Sequence, residues 1–407
     1  MNRAQFVWLH RWAGLSMGIF LILVGLTGSL LAFWLEINQW LTPELYPPPR
    51  PGVELDAATL VRRAEAIVPE ARATTVYLGV PGSASIGMEA RDAASPLDFE
   101  FIHLDPIDGT ELGRTTWHGL PKRKTDIMPF IYSLHMYLAM SGIGDWILGA
   151  VALIWTIDSF VGFYLTLPPS GERSQKGFLS RWKPSWFVKF RSSFYRVNFD
   201  LHRAGGLWLW LILLIYAWSS VYFTLPTFYT RAMQLVSDYE QPVWARGAAD
   251  APGAIPPMEW EQALQTGQRL MSEQATANGF SIERPLALYH LREQGLYEYR
   301  VRSSRDIGDK AGATEVHFDS RSGELKSVNL PTGHRGGTTI TTWLVELHTA
   351  NVFGLPYRIF VSLFGLALIM LSITGVYIWW KKRAARKAHE RRAALSAGVD
   401  MMSEGLK

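Results

Sequence analysis

The stretch NFDLHRAGGLWLWLILLIYAW, residues 198–218, sets a basic pair, His202-Arg203, at the threshold of a strongly apolar run. The segment VWLHRWAGLSMGIFLILVGL (7–26) does the same with His10-Arg11. Apolar runs near 14–35, 146–167, 205–224 and 359–380 each hold about 20 residues, enough to cross roughly 30 Å of hydrocarbon as helix. Two long polar stretches, 37–134 and 225–342, separate the first run from the second and the third from the fourth, and they keep the mean hydropathy barely above zero. The pattern predicts four membrane spans with two extramembrane modules.

Lys and Arg set the orientation. The loop SGERSQKGFLSRWKPSWFVKFRSSFYRVNFD (170–200) carries seven of them against Glu172 and Asp200. The tail KKRAARKAHERR (381–392) is comparably basic, opposed only by Glu390. Short basic segments beside spans stay in the cytoplasm. Both segments and the N-terminus therefore belong there, and the two modules face outward. The net charge of +4 reports this topology and contact with anionic lipid rather than nucleic-acid binding. The first run ends in LLAFWLEINQW and not in a small-residue cleavage site, which predicts an uncleaved signal-anchor. Cysteine is absent, which excludes disulfides, cysteine-ligated zinc, iron–sulfur clusters and a cysteine nucleophile.

The chain repeats itself. LHRWAGL (9–15) matches LHRAGGL (201–207) at an offset of 192 residues. HLDPIDGTEL (103–112) matches HFDSRSGEL (317–325) at 214, and SLHMYL (133–138) matches ELHTAN (346–351) at 213. The last register runs on to Gly162 and Gly375. Each half then reads as span, module, span. In the first module, DAATLVRRAEAIVPE begins at a plausible cap, Asp56, and places Leu60, Ala64 and Ile67 on one helical face. Strand patterns TTVYLGV, SIGMEA and FEFIHLD follow, then a DPIDG turn. In the second, MEWEQALQTGQRLMSEQA sets Trp260, Ala263, Leu264, Gly267, Leu270 and Met271 along one side, before RPLALYHL, YEYRVRSS and TEVHFDS. A helix against a small antiparallel sheet is expected for each.

A helix and sheet ending in an Asp-x-x-x-Gly turn resembles the PepSY domain. The whole order, LHR before spans one and three and LH before spans two and four, resembles the PepSY-associated transmembrane family. The resemblance implies an iron-regulated protein of the bacterial inner membrane, of a group that includes ferric-siderophore reductases carrying b-type haem. The fold class expected is thus an α-helical membrane protein, with four transmembrane helices in two pseudo-repeated halves and two extracytoplasmic α+β PepSY-like modules. The expected boundaries are 1–36 (N-terminus and first span), 37–134 (first module), 135–167 (second span), 168–198 (basic loop), 199–224 (third span), 225–342 (second module), 343–380 (fourth span) and 381–407 (basic tail). The flavodoxin-like or nicotinamide-binding extension of some relatives has no counterpart, because GIG (142–144) is no dinucleotide loop.

Four histidines fall at two depths. His10 and His202 stand at the cytoplasmic ends of spans one and three; His135 and His348 stand at the outer ends of spans two and four. Two histidines at one depth on different helices are what bis-imidazole haem ligation in a bundle requires. The expectation is two haems b, one on His10 and His202 and one on His135 and His348, because cross-pairing would need partners about 30 Å apart along the normal. Met136 and Met140 are alternative axial groups, though methionine beside a span usually packs. Arg11 and Arg203 suit haem propionates or a snorkelling role equally, and Arg358 is the comparable outer residue. Gly14, Gly205 and Gly206 admit either a flat macrocycle or a neighbouring helix. Asp158 is the one clear carboxylate inside a span; it can relay a proton, bond a ligand's free N–H, or be structural. His103, His317, His118 and His334 read as sheet and loop residues, and Trp8, Trp12, Trp34, Trp40, Trp379 and Trp380 as interfacial belts.

Closed bis-histidine coordination favours electron transfer over oxygen chemistry. The reading is a di-haem oxidoreductase that takes electrons from a cytoplasmic or quinol donor and reduces a ferric siderophore outside the membrane to release Fe(II). Two other readings stay open, a haem-free regulator that binds peptides or a peptidase, and an iron-chelate permease.

Overall fold

The computed structural model describes residues 2–48, 50–169, 177–246 and 257–404, with side chains to residue 390. Residues 170–176 of the basic loop, Glu172 among them, and 405–407 of the tail lie outside the described residues. The helices are α1 (Arg3–Leu31), α2 (Trp34–Leu41), α3 (Ala57–Ile67), α4 (Ile127–Tyr137), α5 (Ile143–Thr166) and α6 (Phe178–Trp182), followed by α7 (Phe194–Trp208), α8 (Trp210–Thr224), α9 (Pro226–Gln234), α10 (Trp260–Asn278), α11 (Gly336–His348) and α12 (Gly354–Glu404). Three are long and apolar enough to cross a membrane: α1, α5 and the Gly354–Glu390 part of α12. The pair α7–α8 makes a fourth if its two limbs count as one span. Two compact units result: one of Met1–Leu26, Gly149–Trp218 and Leu363–Lys407, the other of Thr27–Leu148 and Ser219–Ser362.

The helices expected over 135–167, 199–224 and 343–380 are each broken. Between α7 and α8 the axis bends by 68°. Leu209 leaves helical geometry there just after Gly205-Gly206, a usual place for a sharp kink. The 15 residues of α8 rise only about 22 Å, short of a crossing. The other two breaks are alike. Helix α4 stops where Leu138 and Ala139 take φ of 57° and 55°, and α11 stops before Ala350 and Phe353, at 54° and 59°. Among the described residues these four are the non-glycine positions with positive φ. Such conformations cost on the order of 1 kcal/mol or more each and persist only where surrounding contacts over-determine them. At the second break the contacts are visible. The Asp309 carboxylate accepts the Gly354 N–H at 2.6 Å, and the Asp309 N–H donates to the Asn351 carbonyl at 2.6 Å.

Eight strands form one antiparallel sheet: β1 (Ala71–Val80), β2 (Ser83–Ala90), β3 (Phe101–Leu104), β4 (Glu111–Thr115), β5 (Ile282–Leu291), β6 (Leu296–Ser303), β7 (Thr314–Asp319) and β8 (Leu325–Asn329), in the order β4-β3-β2-β1-β5-β6-β7-β8. Two separate small sheets were expected. They are joined because β1 and β5 pair through Thr75–Tyr289, Val76–Leu288 and Tyr77–Ala287, so neither leaves its longest strand as an open edge. Helices α3 and α10 pack on one face over a shared core that includes Leu60, Ala64, Val76, Ile86, Leu270, Met271, Leu288 and Phe318. Asp56 caps α3, its carboxylate accepting the Thr59 N–H at 2.9 Å. Gly279, at φ 63°, ends α10. Alternate residues of β6 and β7 point to the opposite face, where Glu298, Arg300, Glu315 and His317 gather.

Candidate functional site: two histidine pairs

His10 on α1 and His202 on α7 come together with ring centroids 6.0 Å apart. The Nδ1 of His10 lies 3.0 and 2.9 Å from the two oxygens of Asp158, a buried carboxylate on α5. The Nδ1 of His202 lies 3.0 Å from the Leu371 carbonyl and 3.2 Å from the Thr374 hydroxyl, both on α12. A carbonyl and a carboxylate only accept, so each ring carries its proton on Nδ1 and the lone pair of neutral imidazole is on Nε2, the metal-binding tautomer. Glycine makes the room. A Cβ on Gly162 would stand 3.4 Å from the Cε1 of His10, and one on Gly375 would stand 3.1 Å from the Cε1 of His202.

His135 on α4 and His348 on α11 pair in the same way, with centroids 6.3 Å apart and planes at 74°. Here the Nδ1 partners are hydroxyls, Thr27 at 2.9 Å for His135 and Ser219 at 2.6 Å for His348. A Cβ on Gly28 would come within 3.0 Å of the Cε1 of His135. Phe223 packs edge-on against His348, 5.3 Å between centroids. Both histidines sit at the last turn of a helix that ends in a strained break, which fixes the ring positions without a long helix on both sides.

These spacings can be tested against a shared metal. Two imidazoles sharing one ion, at metal–nitrogen distances of about 2.0 Å and with ring centres about 1.1 Å beyond the nitrogens, would have centres at most about 6.2 Å apart. Both pairs are within about 0.3 Å of that figure. Other features agree with a large planar group beside the first pair. A Cβ on Gly14 or Gly206, one turn on from His10 and His202, would meet nothing within 4 Å, and the buried Nε of Arg11 has no hydrogen-bond partner. Gly205 is instead a packing position, where a Cβ would meet Met370 and Leu371.

The other arginines are engaged within the protein. Arg203 donates to Asp200 at 2.8 Å and to the Pro184 carbonyl at 2.6 Å. Arg358 donates to the Ala32 carbonyl at 2.8 Å and to both oxygens of Glu36, and lies over the Phe33 ring. It therefore locks the α1–α2 corner to the start of α12. Met140 is exposed, and Met136 is part-buried on α4 beside His135.

The sheet histidines are satisfied where they stand. His103 is buried with Ser85 and Thr115 hydroxyls at 3.0 Å on its two nitrogens, and burial pushes its pKa down to about 4. His317 has Glu298 at 3.2 Å on Nε2 and Ser327 at 3.3 Å on Nδ1. Glu298, Glu315 and His317 are close enough together to hold a cation. Arg300 already does so, with one nitrogen 2.7 Å from Glu298 and 2.8 Å from Glu315. Burial raises Glu298, but Arg300 and His317 outweigh it and the net direction is down; burial and the adjacent Glu298 drive Glu315 up. The cluster is an ion-pair network with its cation supplied by the chain. His118 pairs with Glu100 at the surface, and His334 lies in the turn before α11.

Reading the sequence did not single out Thr27, Ser219, Gly28 or Thr374. The signal was available for two of them: Thr27 and Ser219 stand 192 residues apart, the same offset that relates His10 to His202.

Three to four apolar helices and an eight-stranded antiparallel sheet define a membrane protein with an α+β part. The chain belongs to the family of the PepSY-associated TM region, whose model matches residues 7–382. No curated protein matches it significantly.

Proposed function

We propose that this chain is a di-haem b oxidoreductase of the bacterial inner membrane that reduces a ferric siderophore on the periplasmic side. The observation that carries the reading is the double occurrence of two histidines whose ring centres stand 6.0 and 6.3 Å apart, each with Nδ1 engaged by the protein. Haem bound by two imidazoles supplies a reversible one-electron couple with no open iron position. The chain's residues orient the rings: Asp158 and Leu371 for the first pair, Thr27 and Ser219 for the second. The charge of the basic loop and tail supports a topology with the first pair toward the cytoplasm and both modules in the periplasm. Oxidation of one quinol to quinone releases two electrons and two protons and reduces two Fe(III) chelates to Fe(II), which hard oxygen donors hold less tightly. A cytoplasmic reductant is the other class of donor. Asp158 has both oxygens on His10, so this buried carboxylate serves the imidazole rather than a transport pathway.

An absorption spectrum of detergent-purified protein tests this. Reducible low-spin bands with about two haems per chain are expected, and His10→Ala and His135→Ala should each remove a different one. A colourless, folded preparation would point to the haem-free regulator. In proteoliposomes, reduction of an external ferric chelate with appearance of Fe(II) is expected, and electron transfer without iron release would exclude the chelate as acceptor.

A further inference from the structure

We propose that Asp158 sets the direction of electron flow, by holding the haem gripped by His10 and His202 at a lower reduction potential than the haem gripped by His135 and His348. The inference rests on the di-haem reading and goes beyond it to the relative energies of the two sites.

The argument compares the four Nδ1 partners. Three are neutral: the Leu371 carbonyl with the Thr374 hydroxyl for His202, the Thr27 hydroxyl for His135 and the Ser219 hydroxyl for His348. The fourth is a carboxylate, that of Asp158. Asp158 is 5% exposed and places both oxygens within 3.0 Å of the His10 nitrogen. Its one ion-pair partner among the described residues is His10, and no arginine or lysine among them pairs with it. A carboxylate accepting the Nδ1 proton makes the ring a stronger donor at Nε2, and a buried anion favours the oxidised, more positive state of the metal. Both effects stabilise Fe(III) over Fe(II) at that site and lower its potential.

The chain contains its own comparison. Leu371 stands 213 residues after Asp158, at the offset that relates His348 to His135, and Gly375 and Gly162 follow them by four residues. Each glycine lies against the Cε1 edge of its histidine. At one position a carboxylate reaches the ring; at the other the side chain is apolar and the backbone carbonyl does the work. Asp158 acts through His10 and is therefore a positioning residue. With haem bound at both sites, an electron from a quinol or a cytoplasmic reductant would take the first iron from Fe(III) to Fe(II) and would then pass downhill to the second, returning the first to Fe(III) and reducing the second from Fe(III) to Fe(II).

Redox titration of the full-length protein in detergent, followed by haem absorbance, tests the proposal. Two waves are expected in the wild type. Asp158→Asn should move the lower wave upward, leave the upper one in place, and change the electron paramagnetic resonance signature of one ferric centre; Asp158→Glu should restore part of the shift. His10→Ala, which removes the first haem, should leave the upper wave alone, and this arm does not depend on Asp158→Asn folding. The proposal is overturned if Asp158→Asn keeps both haems with both waves unmoved, or if the wave surviving in His10→Ala is the lower one. A wild type without haem would sink the di-haem reading itself, and this proposal with it.

Discussion

The glycines behind three of the four rings offer a graded test of the histidine cages. A Cβ introduced at Gly28 would lie 3.0 Å from the Cε1 of His135, and one at Gly375 would lie 3.1 Å from the Cε1 of His202. Carbon atoms pack at about 3.5–4.0 Å, so each ring must retreat by roughly 0.5 Å. The His135 ring cannot retreat without stretching the 2.9 Å bond from its Nδ1 to Thr27. A ligand site tolerates about 0.5 Å of misplacement, so Gly28→Ala and Gly375→Ala stand at the limit and should each cost one haem, taking the ratio from about two to about one. At Gly162 the distance to His10 is 3.4 Å, which asks for a shift of only about 0.1 Å. Gly162→Ala should keep both haems. Alanine is the better helix former by about 1 kcal/mol, so a lost haem would not come from a weakened helix. The assay is haem per chain from reduced-minus-oxidised spectra, with the unfolding temperature measured alongside. Equal losses in all three variants, or full haem in Gly28→Ala and Gly375→Ala, would refute the reasoning.

Two further outcomes concern the sheet. His103, 7% exposed, is held near a pKa of about 4 against 6.5 unfolded, so stability is full above pH 6.5 and falls as pH drops toward 4, by roughly 3 kcal/mol. His103→Gln should flatten that part of the pH profile in denaturant unfolding, and an unchanged slope would show the proton is taken up elsewhere. Arg300→Met strands Glu298 and Glu315 together in a buried site, a loss of roughly 3–5 kcal/mol, and Glu315→Gln in addition should recover part of it. An unfolding temperature that does not move in Arg300→Met would mean the carboxylates have other compensation.

The sequence displayed what depends on short-range periodicity. Helix α10 buries Ala263, Leu264, Gly267, Leu270 and Met271, the face its spacing predicted, and six of the strands lie over the predicted segments. The edge strands β4 and β8 were missed, because each is five residues long and follows a turn directly. The joining of the two sheets was also hidden: nothing in the alternation of Thr75, Val76 and Tyr77 says that the partner is Tyr289 rather than solvent. Hydropathy found the apolar helices but passed over their breaks, because Leu138, Ala139 and Phe353 are apolar residues with no intrinsic preference for positive φ. The histidines could be read from depth and repetition. Their hydroxyl partners could not, since a Thr or Ser in an apolar run normally bonds its own helix.

The seam between β1 and β5 makes this polypeptide behave as two subunits sharing one peptide thread. Either half alone would leave the three-residue seam edge of β1 or β5 unpaired and its side of the common core uncovered. Synthesis must therefore hold the first four strands, half clothed, until the ribosome delivers the other four. A gene interrupted within the linking basic loop would have to supply both fragments together, each serving as the other's chaperone.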